Sequence, residues 1–205
     1  MEEQYVYIVF SSTPYRIGRF IRKFTGEDYN HTSIALDAEL TKMYGFARRY
    51  YRTPFYGGFV RESRSRYHLN GTPASIRICR LPVTPLQYQT LCHLLEGMHQ
   101  NQEAYPYNHL SIVTALFRRP IKVQDAYTCI EFCVHILHTL GIDLDPDQYY
   151  TVGEVEQLLR PYAIYTGPMP APEEYDHAFY AHKPVHRPVA ATFSSILKLF
   201  RRLHT

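Results

Sequence analysis

The feature that most constrains this chain is a change of hydrophobic period part-way along it. Strand-like runs dominate up to Leu81, whereas helical spacing governs most of the chain beyond Thr84. Tyr5-Val-Tyr-Ile-Val-Phe10, His31-Thr-Ser-Ile-Ala-Leu36, Met43-Tyr-Gly-Phe-Ala47, Gly57-Gly-Phe-Val-Arg-Glu-Ser63 and Ser75-Ile-Arg-Ile-Cys-Arg-Leu81 read as strands. The second and third of these make a hairpin across a charged turn. One helix interrupts them: Ser11-Ser12-Thr13-Pro14 suits a helix start, Ile17, Phe20, Ile21 and Phe24 fall on one face, and Gly26 ends it. The later helices are expected over 84–101, 109–117, 128–140 and 151–159, before a strand-like Tyr162-Ala-Ile-Tyr165. This order implies an α+β fold, an antiparallel sheet packed against helices.

A chain of 205 residues can bury one sizeable core. Residues 1–167 are assigned to that domain, and 168–205 to a proline-rich segment, with no regular element expected between Gly167 and Pro188, followed by a basic amphipathic helix. In that helix Phe193, Ile196, Leu197, Phe200 and Leu203 are apolar, and Lys198, Arg201 and Arg202 lie mostly off their stripe. Its apolar face is expected to dock on its own domain, with a partner chain or a peripheral membrane contact as the alternatives. There is no long apolar run and no basic leader before Tyr5, so a cytoplasmic location is expected.

The net charge of +3 and the lack of any RNP-like or helix-turn-helix pattern argue against nucleic acid. The clustered Arg48, Arg49, Arg52, Arg61, Arg64 and Arg66 are expected to form a solvated face. The four cysteines include no C-x-x-C pair, which fits a reducing compartment. Cys133, His135 and His138 lack a second ligand pair at metal-site spacing, so neither metal nor cofactor is implied.

Chemistry concentrates on Cys129, placed in the first turn of a helix that Thr128 can cap. Unpaired N–H groups and the helix dipole favour the thiolate there, and a backbone N–H can bind a developing oxyanion. A structural cysteine is the alternative. His31 opens an alternating strand, from which its ring can project toward a helix start, the arrangement a thiol–imidazole pair requires. Tyr107-Asn108-His109-Leu110-Ser111-Ile112 echoes Tyr29 to Ile34, but His109 leads into a helix and not a hairpin, so His31 is favoured as base. Ser11, Ser12, Thr13 and Tyr127 are candidates for substrate or oxyanion contact, with helix capping as the rival role for Ser11, Ser12 and Thr13.

The segments Tyr29-Asn-His-Thr-Ser-Ile-Ala-Leu-Asp37, Met43-Tyr-Gly-Phe-Ala-Arg48, and Tyr127-x-Cys129-x-Glu131-Phe132 followed by Leu137-x-x-Leu140-Gly141-Ile142 resemble the motif series of the circularly permuted NlpC/P60 branch of the papain-like superfamily. The resemblance covers most of residues 5–167. It implies a papain-like fold with the histidine strand ahead of the cysteine helix, Cys129 as nucleophile, His31 as base, and a third polar residue orienting the imidazole. That third residue falls near Gly45, which has no side chain, so a dyad or an orienting group from elsewhere is expected. The implied activity is a thiol-dependent hydrolase or acyltransferase acting on an amide, peptide or acyl-ester substrate. A catalytically silent binding module on the same fold is the alternative.

Overall fold

The structure is a computed structural model and describes residues 3–53, 55–114, 118–181 and 186–203. Eight strands are formed among these: β1 Gln4–Ser11, β2 His31–Ala35, β3 Met43–Arg48, β4 Gly57–Glu62, β5 His68–Leu69, β6 Thr72–Pro73, β7 Ser75–Val83 and β8 Ala163–Pro168. The helices are α1 Arg16–Thr25, α2 Pro85–Gln100, α3 His109–Thr114, α4 Cys129–Thr139, α5 Val152–Leu159, α6 His177–Tyr180 and α7 His186–Arg202. Six strands form one sheet in the order β4-β3-β2-β1-β7-β8, every neighbouring pair antiparallel. β5 and β6 form a separate two-stranded ladder.

Central strand β1 is apolar on both faces because both faces are covered. Val6, Ile8 and Phe10 share one core with Ile34, Phe46 and Phe59 and with residues of α2, α4 and α5, among them Leu95, Phe132 and Val155. Tyr7 and Val9 point the other way, into a second core closed by Tyr67, Ala74 and Met169. The helix layer follows from capping as well as burial. Thr84, Thr128 and Thr151 each accept the N–H three residues on, and Gln87, Glu131 and Glu154 return the bond to the cap backbone.

Three local expectations change. α1 begins one residue after its cap Tyr15, and no side chain caps it. The residues read as its start are used elsewhere: Ser11 pairs with His31 in the sheet, Ser12 Oγ bonds the Ser75 backbone, and Thr13 is clasped by Asn30 through bonds of 2.7 and 3.0 Å. The side chains of Ile17, Phe20, Ile21 and Phe24 lie outside the described residues, as do positions 115–117 at the end of the expected third helix. Gly26 does end α1, at φ 72°, with its N–H on Arg22 O.

The second change concerns the proline-rich segment, which holds a short helix. Asp176 caps α6 through Phe179 N and also pairs with Arg66 at 2.7 Å, while Phe179 is buried beneath the Arg66 guanidinium. This charged, stacked anchor outweighs the low helical content of the local sequence. Further on, α7 docks on its own domain, Leu199 against Val123 and Ala126, with Arg202 donating to Gln124 O and Ala104 O. Phe193, Leu197 and Phe200 of the predicted stripe face outward, so the docking face is rotated from the one the spacing suggests. No described helix is long and apolar enough to cross a membrane.

The two sides of α7 therefore make opposite predictions. Leu199→Ala should cost about 2–4 kcal/mol in urea unfolding, as for other buried leucines, whereas Phe193→Ala should stay within about 0.5 kcal/mol.

Candidate functional site

The site opens where β2 and β3 part. Their pairing is limited to Ile34 with Tyr44 and Ala35 with Met43, although β3 stays paired with β4 as far as Arg48. On β2 the backbone from His31 to Ser33 is thus released from β3, and the N-terminus of α4 meets it. Cys129, the first residue of α4, accepts the Thr32 N–H on its sulfur and forms a side-chain hydrogen bond with His31. Helix α4 points its N-terminus here because the reciprocal Thr128–Glu131 cap stops it one residue before the thiol. Glu131 is itself held by Ser111 at 2.7 Å.

His31 Nε2 lies 3.2 Å from both oxygens of Glu62, a residue of β4. This carboxylate is buried and fully engaged: Ser33 Oγ donates to one oxygen and Tyr67 Oη to the other, each at 2.7 Å. It occupies the volume that a side chain on β3 would have taken. A Cβ built on Gly45 would meet Glu62 Oε1 at 2.7 Å. The missing side chain near Gly45 is therefore the condition that lets an orienting carboxylate reach His31 from one strand further out. Sequence reading passed over Glu62; its one signal is an acid on the inward parity of a strand, a position that a solvated charge does not occupy.

The charges follow from these contacts. Burial alone would depress the His31 pKa, but the Glu62 charge and hydrogen bonds to Cys129 and Glu62 push it up to about 10. Burial would raise Glu62, yet the His31 charge and the bonds from His31 and Ser33 hold it down at about 2. For Cys129 burial favours the thiol, and the bond and charge of His31, the Thr32 N–H and the Tyr107 hydroxyl together lower it below its ordinary value. An imidazolium and a carboxylate thus stand in series behind a thiol whose charged form they favour. For Cys133, one turn along α4, burial outweighs a hydrogen bond from Thr32 and pushes the thiol up to about 12.

A cavity of about 690 Å³ opens from this series. His31, Glu62, Tyr107 and Cys129 stand on its wall, and Phe46, Phe55, Ile112, Phe179 and Ile196 supply much of its apolar lining. The Tyr107 hydroxyl stands 4.0 Å from Cys129 Sγ and also receives the Cys129 N–H, which puts it where an oxyanion would form. Tyr127, the tyrosine expected in that role, instead packs its ring against Phe46, Phe132 and His135. Among the other candidates, Thr13 lines the cavity but Ser11 and Ser12 do not. His109 lines the wall as well, bonded to the Phe55 backbone and beside the Tyr107 ring, and burial lowers its pKa. Only His31 of the two echo histidines is joined to the thiol.

No family model matches this chain, and neither the curated proteins nor the solved structures contain a match to it. The geometry of the site itself therefore carries the functional argument.

The His31–Glu62 pair sets a pH window for stability. His31, raised from 6.5 to about 10, adds stability that is full below 6.5 and lost as pH climbs through about 10. Glu62, lowered from 4.5 to about 2, adds stability that is full above 4.5 and lost as pH falls through about 2. Removing one partner of a buried pair costs about 3–5 kcal/mol. Thermal melts of Glu62→Gln should accordingly show the greatest deficit against the original chain between pH 4.5 and 6.5, shrinking toward pH 10.

Proposed function

We propose that this chain is a thiol-dependent hydrolase or acyltransferase of the papain-like, circularly permuted NlpC/P60 kind, working through an acyl-enzyme on Cys129. One observation carries the reading: a thiol at a helix N-terminus stands beside an imidazole held by a buried carboxylate, on the wall of a cavity large enough for a substrate, and these neighbours favour its thiolate.

The chemistry runs as two acyl transfers. The Cys129 thiolate attacks the carbonyl carbon of an amide or acyl ester, and the carbonyl electron pair moves to oxygen. The Tyr107 hydroxyl, itself bonded by the Cys129 N–H, is the donor nearest that oxygen. Collapse of the intermediate expels the amine or alcohol, which takes its proton from the His31 imidazolium, leaving a thioester and a neutral imidazole. Neutral His31 then removes a proton from water or an acceptor alcohol or amine, whose attack on the thioester returns the thiolate and the imidazolium. With Nε2 held by Glu62, His31 exchanges these protons through Nδ1. Glu62 fixes the ring and favours its charged form throughout.

Iodoacetamide labelling followed by peptide mass analysis tests the reading. Cys129 should alkylate at a thiolate-like rate near neutral pH, below its ordinary pKa of 9.0, while Cys79 and Cys133, both pushed up to about 12, stay unmodified in the folded chain. A Cys129 no faster than those thiols would instead favour a binding module. Once a substrate is in hand, Cys129→Ala should lower turnover by about a thousandfold or more and Cys133→Ala should change it little.

The carboxylate has its own test. Gly45→Ala places a methyl against Glu62 Oε1, so the acid must shift away from His31. Less imidazolium then forms, and alkylation of Cys129 at neutral pH should slow by about tenfold or more. An unchanged rate with an intact fold would remove Glu62 from the mechanism.

A further inference from the structure

The arginine-rich stretch is only in part the solvated face its sequence suggests: Arg52 and Arg61 are exposed, and the others turn inward. Arg49 is buried and pairs with Glu103, Arg64 pairs with Glu173, and Arg66 pairs with Asp176. Arg48 is the inward arginine that differs. It is half-buried on the cavity wall at the end of β3, and among the described residues no carboxylate lies within ion-pair distance of it. Its guanidinium lies 3.9 Å above the Tyr15 ring and donates Nη1 to Tyr51 O at 3.1 Å. The groups that face it are the phenols of Tyr15, Tyr51 and Tyr180, and burial disfavours its charge.

A guanidinium carries five N–H donors in a rigid fork suited to a carboxylate or phosphate. Arg48 commits one of its nitrogens to a backbone carbonyl and is held in place from below by Tyr15. It is a fixed, uncompensated cation lining the same cavity as Cys129, a cavity otherwise rich in aromatic and aliphatic surface. We infer that the substrate is an amphiphilic anion, whose oxyanion group is received by Arg48 while its apolar body fills the cavity and its scissile carbonyl reaches Cys129. Arg66 lines the same cavity, but Asp176 already neutralises it. The apolar lining sets the body of the ligand and Arg48 sets its head.

The inference rests on the hydrolase reading for what happens to the ligand, so its test reads binding alone. Calorimetric titrations of the full chain carrying Cys129→Ala use octanoate, octyl phosphate and octan-1-ol as probes. At least one of the two anions should bind about tenfold more tightly than the alcohol, the scale of a charge-assisted fork bond. Arg48→Gln should reduce that preference to about twofold, with Arg48→Lys between the two. The better of the two anions tells a carboxylate head from a phosphate one, and either supports the proposal. Equal binding of anions and alcohol overturns it. So does an anion preference that survives Arg48→Gln, since that would place the anion at the oxyanion position beside Cys129. Should Arg48→Gln fail to fold, raising ionic strength with the original Arg48 in place keeps the question open to refutation: octanoate binding must weaken while octanol binding does not. A loss of Cys129 reactivity would sink the hydrolase reading and leave these binding outcomes standing.

Discussion

Placing a carboxylate and an imidazolium inside a β-sheet is the act on which the rest of the site depends. Each ion alone would meet a desolvation cost of several kcal/mol, which a partner offsets only when the remaining lone pairs are also satisfied. Glu62 meets that condition through His31, Ser33 and Tyr67, all of them buried. Ser33 is two residues from His31 and therefore on the same face of β2, and Tyr67 rises from the short 3-10 turn that follows β4. The strand register, the turn and the acid are thus one polar unit. His31 can remain charged at neutral pH because this unit is complete, and that charge lowers the Cys129 pKa.

The partition of β2 from β3 is the second requirement. A fully paired β2 would spend the Thr32 N–H on a β3 carbonyl, and no helix terminus could approach. Stopping the ladder at Ile34 and Tyr44 frees that N–H for sulfur. The core tolerates the gap because Phe46, Phe59 and Phe132 fill the space behind it with edge-on and tilted ring contacts at 5.1 to 5.7 Å. Packing and chemistry meet at Phe46, which belongs to the core on one side and lines the cavity on the other.

What was legible in the sequence tracks how local the cause is. The Thr84, Thr128 and Thr151 caps, the Gly26 stop and the alternation of β2, β3 and β7 depend on neighbours within four residues, and the elements appear where those patterns place them. The placement of Cys129 at a helix start and of His31 on a strand is of this kind. Glu62 is not, because its role comes from a side chain absent one strand closer in, at Gly45, and from Tyr67 beyond it. Tyr107 and Tyr127 illustrate the same limit. They are joined in a single parallel bridge, and which ring turns toward sulfur is decided by Phe132 and His135, which occupy Tyr127. The inward arginines were missed because their partners Glu103, Glu173 and Asp176 lie 54 to 110 residues away along the chain.

The carboxy-terminal segment shows how far a site can reach along a chain. Phe179, Thr192 and Ile196 line the same cavity as Cys129, although the sheet is complete by Pro168. Phe179 is seated by two independent holds, the Asp176 cap and the Tyr51 N–H on its carbonyl at 2.8 Å. Tyr15, Tyr51 and Phe179 are in mutual ring contact, and Arg48 lies over Tyr15. Any movement of the tail that withdrew Phe179 would therefore loosen the aromatic floor on which Arg48 rests, as well as open the cavity wall. The orientation of the free cation and the enclosure of the apolar space are thus governed by the same residues. In physical terms the segment after β8 belongs to the site, and the shape of the cavity is set as much by the tail as by the strands that carry His31 and Glu62.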